Sequence, residues 1–495
     1  MNAVNLFILA SCASPAFVAF GARSAPEQVP WTQSYAAGYT DASGAYAGGS
    51  EIMHIVPHNG KLFAFNSFWK DGNFGKHSAQ VLRLDAPDAQ WQVDLETTKT
   101  ALGYARGNIK HMKGNILKSV TFRTDKNGKP IDVTRLVAAS WAFNSNAKRH
   151  QAVSFFVRDA ATGTWDHSVL LEGPRDIASG AGSPRSIRRV PRDIQVYRDP
   201  VTGIDRIFML VGDPGILSGV FNAETGRIEW DSVPEHPTGG QFLGARPLGL
   251  AVANGELYFS AGGEIFRRHN GPRPSWSVVY RVGGRVNTDV GGIRGLTSVP
   301  DPNGPGDSLL FVWTPSGRCR GDIKRLDGSP FRETREATLR ELFNAVFEED
   351  GATAYFSLGG YNRFFAVRDP QTGETVHLVG CEHRIHTGDA ALQWHRFYKG
   401  GVFGIRSADA TYRTGLINGP WRPSKPILVA PRAFAHSPFP GERNVIYFGG
   451  HDANGQDSTD MAWDLQGIGG RGSPVMRTAD SATGTRSNDA REAPA

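Results

Sequence analysis

The chain has 495 residues with 54 Lys and Arg against 48 Asp and Glu, a net charge of +6 too small and too dispersed to read as a nucleic-acid footprint. Its 59 glycines and 30 prolines stop short of a disordered composition and favour an all-β fold with many tight turns. The cysteines, Cys12, Cys319 and Cys381, leave room for at most one disulfide once a leader is removed, and they form no zinc pattern.

Residues 1–25 resemble a secretory signal peptide, with an apolar run, small residues before a cut near Ala22 or Ala25, and a polar turn from Arg23 onward. The run lacks a preceding Lys or Arg. Leu9-Ala10-Ser11-Cys12 also fits a lipoprotein box, which would anchor the protein through Cys12. A secreted or periplasmic protein is expected, and no later apolar run reaches the roughly 18 residues that span a bilayer.

From Trp31 to Ser50 the chain is rich in small residues and could supply the strand that closes a ring. Ile52 to Phe65 then reads as strand, Asn59-Gly60 turn, strand, with outer strands at Gln80 to Leu84 and Trp91 to Leu95. A second unit runs from Ile116 to about Leu171. Further inner copies follow at Ile194 to Gly212, Arg246 to Gly263, Leu296 to Trp313 and Ala433 to Gly450. The copy at Arg246 is the cleanest, with Leu248, Leu250 and Val252 alternating before Asn254-Gly255. Arg-Asp-x-x-Thr-Gly or a close variant recurs at 158, 198, 221 and 368 and predicts a turn between two strands, the Asp or Asn bonding its own backbone and the glycine supplying positive φ. One helix is predicted over Arg332 to Phe347, with Leu339, Leu342, Phe343, Val346 and Phe347 on one face. The sixth region has strand character from Thr353 to Leu358, Phe364 to Val367, Val376 to Val379 and Gly401 to Arg406, without an evident hairpin. The tail, 467–495, is almost free of large apolar residues and is expected to be disordered.

These repeated strand-turn-strand units, over residues 31–466, resemble the β-propeller superfamily; no family-specific signature accompanies them. The resemblance implies an all-β propeller of six or seven blades, seven favoured, with one short helical insertion. It implies no reaction, because such folds serve enzymes, lectins and scaffolds alike.

Arg192, Arg246, Arg294 and Arg432 stand four to six residues before the aligned strand positions Val196, Val252, Val299 and Ser437. If the starting ends of the inner strands share one mouth, these guanidiniums form an anion site for carboxylate, sulfate or phosphate. The alternative is that they pair with neighbours such as Asp193 and Glu442 and tie blades together. His54 and His436 occupy matching inner strands of the first and last units, and an imidazole pair beside arginines suits proton abstraction next to a carboxylate. The alternative is that each histidine simply bonds a carbonyl. The run His377 to His386, with Cys381, Glu382 and His383, leaves a divalent metal possible, although strand alternation spreads those side chains over two faces. Asp452 to Asp457 has a loose likeness to a calcium loop and reads better as a turn.

Two functions fit: a carbohydrate-active enzyme on an anionic glycan, most simply a polysaccharide lyase, or a non-catalytic propeller that recognises a glycan or a protein. The expected partner is an anionic carbohydrate or other small anion, with the protein a monomer.

Overall fold

The computed structural model describes residues 27–28, 31–49, 51–68, 77–97, 109–144, 150–174, 190–212, 215–236, 247–283, 291–315, 321–349, 351–369, 372–387, 401–416, 430–451 and 475–478. Cys12, Cys319, Arg246 and the Asp452 to Asp457 loop lie outside them, as do the leader and residues 479–495.

Local chemistry sets the strand boundaries. Asn59-Gly60 and Asn254-Gly255 all take positive φ, at 49°, 71°, 50° and 74°, and each pair closes a two-residue hairpin of the primed kind that matches strand twist. In the recurrent turn motif, Asp199 accepts from the amides of Val201 and Thr202, while Gly203 takes positive φ and donates back to the Asp199 carbonyl. Asp159 and Asn222 make the corresponding side-chain bonds. The motif is turn chemistry at all four of its positions.

Described strands form seven antiparallel blades. Blade 1 runs Glu51–His58, Lys61–Ser67, Gln80–Leu84, Gln92–Glu96, and blade 2 runs Ile109–Thr124, Pro130–Asn144, His150–Arg158, Trp165–Pro174. Blade 3 spans Pro191–Arg198 to Arg227–Trp230, blade 4 Pro247–Ala253 to Ser275–Arg281, and blade 5 Gly292–Pro300 to Arg332–Thr338. Blade 6 is Phe365–Arg368, Thr375–Thr387, Val402–Arg406 and Tyr412–Leu416. Blade 7 has Ala430–His436, Ile446–His451 and Val475–Thr478, and its outermost strand is the N-terminal Trp31–Tyr35. The fold is therefore a seven-bladed β-propeller closed by a strand from each end of the chain. The closing strand falls where the small-residue stretch predicts it, whereas Val475–Thr478 lies inside the segment expected to be a disordered tail.

Apolar alternation explains the ring. Each middle strand is apolar on both faces, so no blade can bury itself alone. Ile207 and Met209 join Ile116 and Val137 between blades 2 and 3, while Phe208 and Leu210 join Leu250 and Phe259 between blades 3 and 4. Such a cluster fills every junction, including blades 7 and 1 around Ile52, Trp91 and Tyr447. Seven junctions for seven blades means a closed circle.

Charged staples sit at several junctions. Arg158 of blade 2 holds Asp94 of blade 1 at 2.7 Å. Arg268 of blade 4 reaches Asp199 at 2.9 Å and Glu235 at 2.8 Å. Glu336 of blade 5 accepts from Arg406 at 2.7 Å and Tyr412 at 2.6 Å in blade 6.

The helix begins later than periodicity predicts. Residues Arg332–Thr338 complete blade 5 as a strand, and the helix is Leu339–Glu349. Thr338 caps it, accepting the Glu341 amide at 3.1 Å while bonding the Glu341 carboxylate at 2.7 Å. Leu339, Phe343, Val346 and Phe347 are buried between blades 5 and 6. Ala352–Gly359 is likewise no inner strand; it pairs with the far half of Thr375–Thr387, and the inner strand of blade 6 is Phe365–Arg368.

Candidate functional site

The innermost strands of blades 1, 2, 3, 4, 5 and 7 each slip register near their start, leaving Met53, Asn115, Arg192, Leu248, Gly295-Leu296 and Arg432 as the extra residues. A bulge bends its strand and re-aims side chains, and its repetition turns one set of residues toward one end of the central axis. In blade 6, Asn362 stands next to this ring and donates to the carbonyls of Met53 at 2.8 Å and Arg432 at 2.6 Å.

Around that ring lies a buried layer. The guanidinium of Arg432 stacks 3.7 Å from the centroid of the Tyr361 ring, and that of Arg294 lies 5.1 Å from the same ring. Arg432 is ion-paired with Glu51 and with Glu382 at 3.1 Å, and Lys113 approaches Glu51 at 3.4 Å. Burial pushes Arg432 down to about 9, still charged at neutral pH, and lowers Arg294 in opposition to Tyr361 and Glu382. Arg294 and Arg432 thus come together over one ring. Both are buried, however, and Arg432 holds carboxylates of blades 1 and 6, which is the blade-tying alternative. Arg192 fills the bulge of blade 3 at the position Arg432 fills in blade 7 and is half-buried.

A second cluster crosses the axis. Arg363 of blade 6 donates from Nη2 at 3.0 Å and Nε at 3.3 Å to Oδ2 of Asp193 in blade 3. Blades 3 and 6 are separated by two blades one way round and three the other, so this pair spans the channel. Asp193 also accepts the Leu250 amide of blade 4 at 2.8 Å. Lys118 of blade 2 donates to the Ile194 carbonyl at 2.6 Å and Gln195 Oε1 at 3.2 Å, with Asp193 Oδ1 at 3.8 Å.

Burial raises the Asp193 carboxyl, but Arg363, Lys118 and the Leu250 amide outweigh it and hold it below the ordinary range. Burial and the Arg363 charge push Lys118 down to about 7 against Asp193. These side chains still meet solvent, Lys118 and Arg363 at 30% and 31% and Asp193 at 17%.

His54 sits beside this cluster, half-buried, its Nε2 2.7 Å from the Asn115 carbonyl. Burial takes it down to about 4, with Asn115 and Asp193 opposing and Lys118 assisting, so it is neutral at physiological pH. His436 is exposed and turns the other way, 3.2 Å from the Ala366 carbonyl and against Phe365 of blade 6. The two histidines occupy adjacent blades but bond to opposite neighbours, so the expected imidazole pair is not formed.

Residues His377, Cys381, Glu382 and His383 part in three directions. Glu382 goes to Arg432; His383 bonds Ser357 at 2.8 Å between Phe343 and Phe347; burial, with Arg406, takes His377 to about 4. Burial also raises the Cys381 thiol. Among the described residues no three His, Cys, Asp or Glu side chains gather as metal ligands.

Lys118, Tyr361 and Arg363 are the site residues that sequence reasoning missed. A signal for Arg363 existed: it precedes Asp369 by six residues, as Asp193 precedes Asp199. Aligning the copies on the recurrent turns in place of the valines puts the two bridge partners at one position.

No protein-family model and no curated protein matches the chain. Among solved structures it is similar to a Trypanosoma rangeli sialidase in complex with sialic acid, at 10% identity and TM-score 0.34, over 72% of this chain and 56% of that one. The WD40 domain of SCAP from fission yeast is similar at 8% identity and TM-score 0.33, over 87% and 82%. The chain spans little more than half the length of that sialidase. Likenesses this distant carry no functional argument, and the propeller is established by its own blades.

Proposed function

We propose that the protein is a secreted or periplasmic propeller that binds a small anion, of the uronate carbohydrate class, at the Lys118, Asp193 and Arg363 cluster. The observation that supports this is the convergence of two cations, from blades 2 and 6, on a single carboxylate at the channel axis. Asp193 holds the position a ligand carboxylate would contest, and Arg363 offers a planar fork suited to it. Arg432 is already paired with Glu51 and Glu382, so the cations left to meet a ligand are those of this cluster.

The same groups suit an eliminative lyase. Arg363 would neutralise the uronate carboxylate and the charge that develops on it, and Lys118, near 7, would take the adjacent proton as the glycosidic carbon–oxygen bond breaks. The carbon–hydrogen electron pair becomes the new double bond, and the leaving oxygen keeps the carbon–oxygen pair and takes a proton from water. A non-catalytic glycan-binding propeller is the second reading. It is favoured by the acceptors that hold Lys118, which suit a fixed ammonium better than a mobile base.

Calorimetric titration with oligogalacturonate tests the site. Wild type should bind and Arg363→Ala should bind at least about tenfold more weakly, the scale of one charge-assisted contact; equal affinity would sink the assignment. Ultraviolet absorbance of unsaturated products separates the two readings, since elimination produces it and binding alone does not.

A further inference from the structure

In the cluster around Asp193, two polar atoms of the described side chains make no hydrogen bond. The first is Nη1 of Arg363, whose Nε and Nη2 both go to Asp193 while the side chain remains 31% exposed. The second is Nδ1 of His54. Its other ring nitrogen lies 2.7 Å from the carbonyl of Asn115, which can only accept, so Nε2 carries the proton and Nδ1 keeps a bare lone pair. Asn115 is fixed in turn, because it is the bulge residue of blade 2 and its side chain accepts the Trp141 amide at 3.1 Å. One open donor edge on Arg363 and one acceptor on His54, both beside Asp193, form a two-point recognition pattern.

We infer that the channel selects a hydroxy-carboxylate, with the ligand carboxylate on the open Nη1 edge of Arg363 and a ligand hydroxyl donating to Nδ1 of His54. This deepens the anion-site reading and rests on it. His54 then determines specificity and does not transfer a proton. A ligand carrying the carboxylate alone would leave the lone pair facing a group that cannot donate. Polar groups built to bond a hydroxyl discriminate against analogues without one, because such an analogue strands them.

The test compares D-galacturonate with oxane-2-carboxylate, the same ring and carboxylate without hydroxyls, by calorimetry on wild type, His54→Phe and Arg363→Ala. The expected result is a preference for galacturonate of about tenfold in wild type, its collapse in His54→Phe, and weakening of both ligands in Arg363→Ala. Equal binding of the two ligands by wild type, or a preference that survives in His54→Phe, overturns the inference and leaves the anion site standing. Binding of neither ligand defeats the anion site itself, and the inference with it. Nitrogen-15 spectra of wild type give a readout that does not depend on the Phe variant folding. They should show His54 as the Nε2–H tautomer, with Nδ1 shifting on addition of galacturonate and not of oxane-2-carboxylate; an Nδ1–H tautomer, or the same shift with both, overturns the inference.

Discussion

At the scale of single residues, arginine plays two parts that one-letter code does not distinguish. Arg268 is 1% exposed and engages Glu235, Asp199 and Asn270 while lying 5.2 Å from the centroid of the Phe208 ring. Arg363 has one partner and an open edge. Removing the first should therefore cost fold and removing the second should cost ligand. Arg268→Met leaves two carboxylates buried without a counter-charge, which is expected to destabilise by about 3–5 kcal/mol. Chemical denaturation reads this as a lowered midpoint, and Arg268→Lys, lacking the fork, should restore only part of it. An unchanged midpoint for Arg268→Met would show that the staple is idle. The sequence marked arginines at strand heads but could not tell staple from site, because partners such as Glu235 and Asp193 come from other blades. His54 illustrates the same limit: its place in an inner strand was legible, whereas its tautomer depends on a carbonyl 61 residues away.

At the scale of elements, Thr375–Thr387 ties two sheets to the ring of bulges. Its first half belongs to blade 6, its second half pairs with Ala352–Gly359, and Glu382 in that second half reaches Arg432 of blade 7. The crossing depends on Gly380, where a Cβ would run into the Pro431 carbonyl, one residue before Arg432. Gly380→Ala should force blades 6 and 7 apart locally and destabilise by about 1–3 kcal/mol, the cost of overpacking. A melting temperature equal to wild type would show that the backbone gives way freely. Hairpins, recurrent turns and apolar alternation were readable here because they are local. The sixth blade was readable in its strands but not in its arrangement, since one continuous strand serves two sheets and the inner strand Phe365–Arg368 is only four residues long. The helix start was missed because Arg332–Thr338 carries charges at spacings compatible with either state, and the Thr338 cap with Glu341 was the overlooked sign.

At the scale of the whole molecule, the ring is held shut by Trp31–Tyr35 lying beside Val475–Thr478 in blade 7. Tyr35 is buried in the junction with blade 1 and donates to the Gly48 carbonyl at 2.8 Å, and Ser34 accepts from the Trp91 indole at 3.0 Å. A variant beginning after Tyr35 should expose an unpaired edge and a wet junction, lowering the melting temperature and promoting association. Scanning calorimetry with light scattering checks this, and wild-type behaviour would mean that closure does not need the strand. The architecture was legible from repetition, while the contribution of Val475–Thr478 was hidden by a surrounding composition poor in large apolar residues.

A ring of modules that touch only their neighbours behaves as a one-dimensional array bent into a circle, and a disturbance in one module travels round the rim. The Arg363–Asp193 pair draws a chord across that circle. It divides the modules into two arcs, blades 4 and 5 on one side and blades 7, 1 and 2 on the other, with the third and sixth as shared endpoints. A change at this pair therefore bears on both arcs at once.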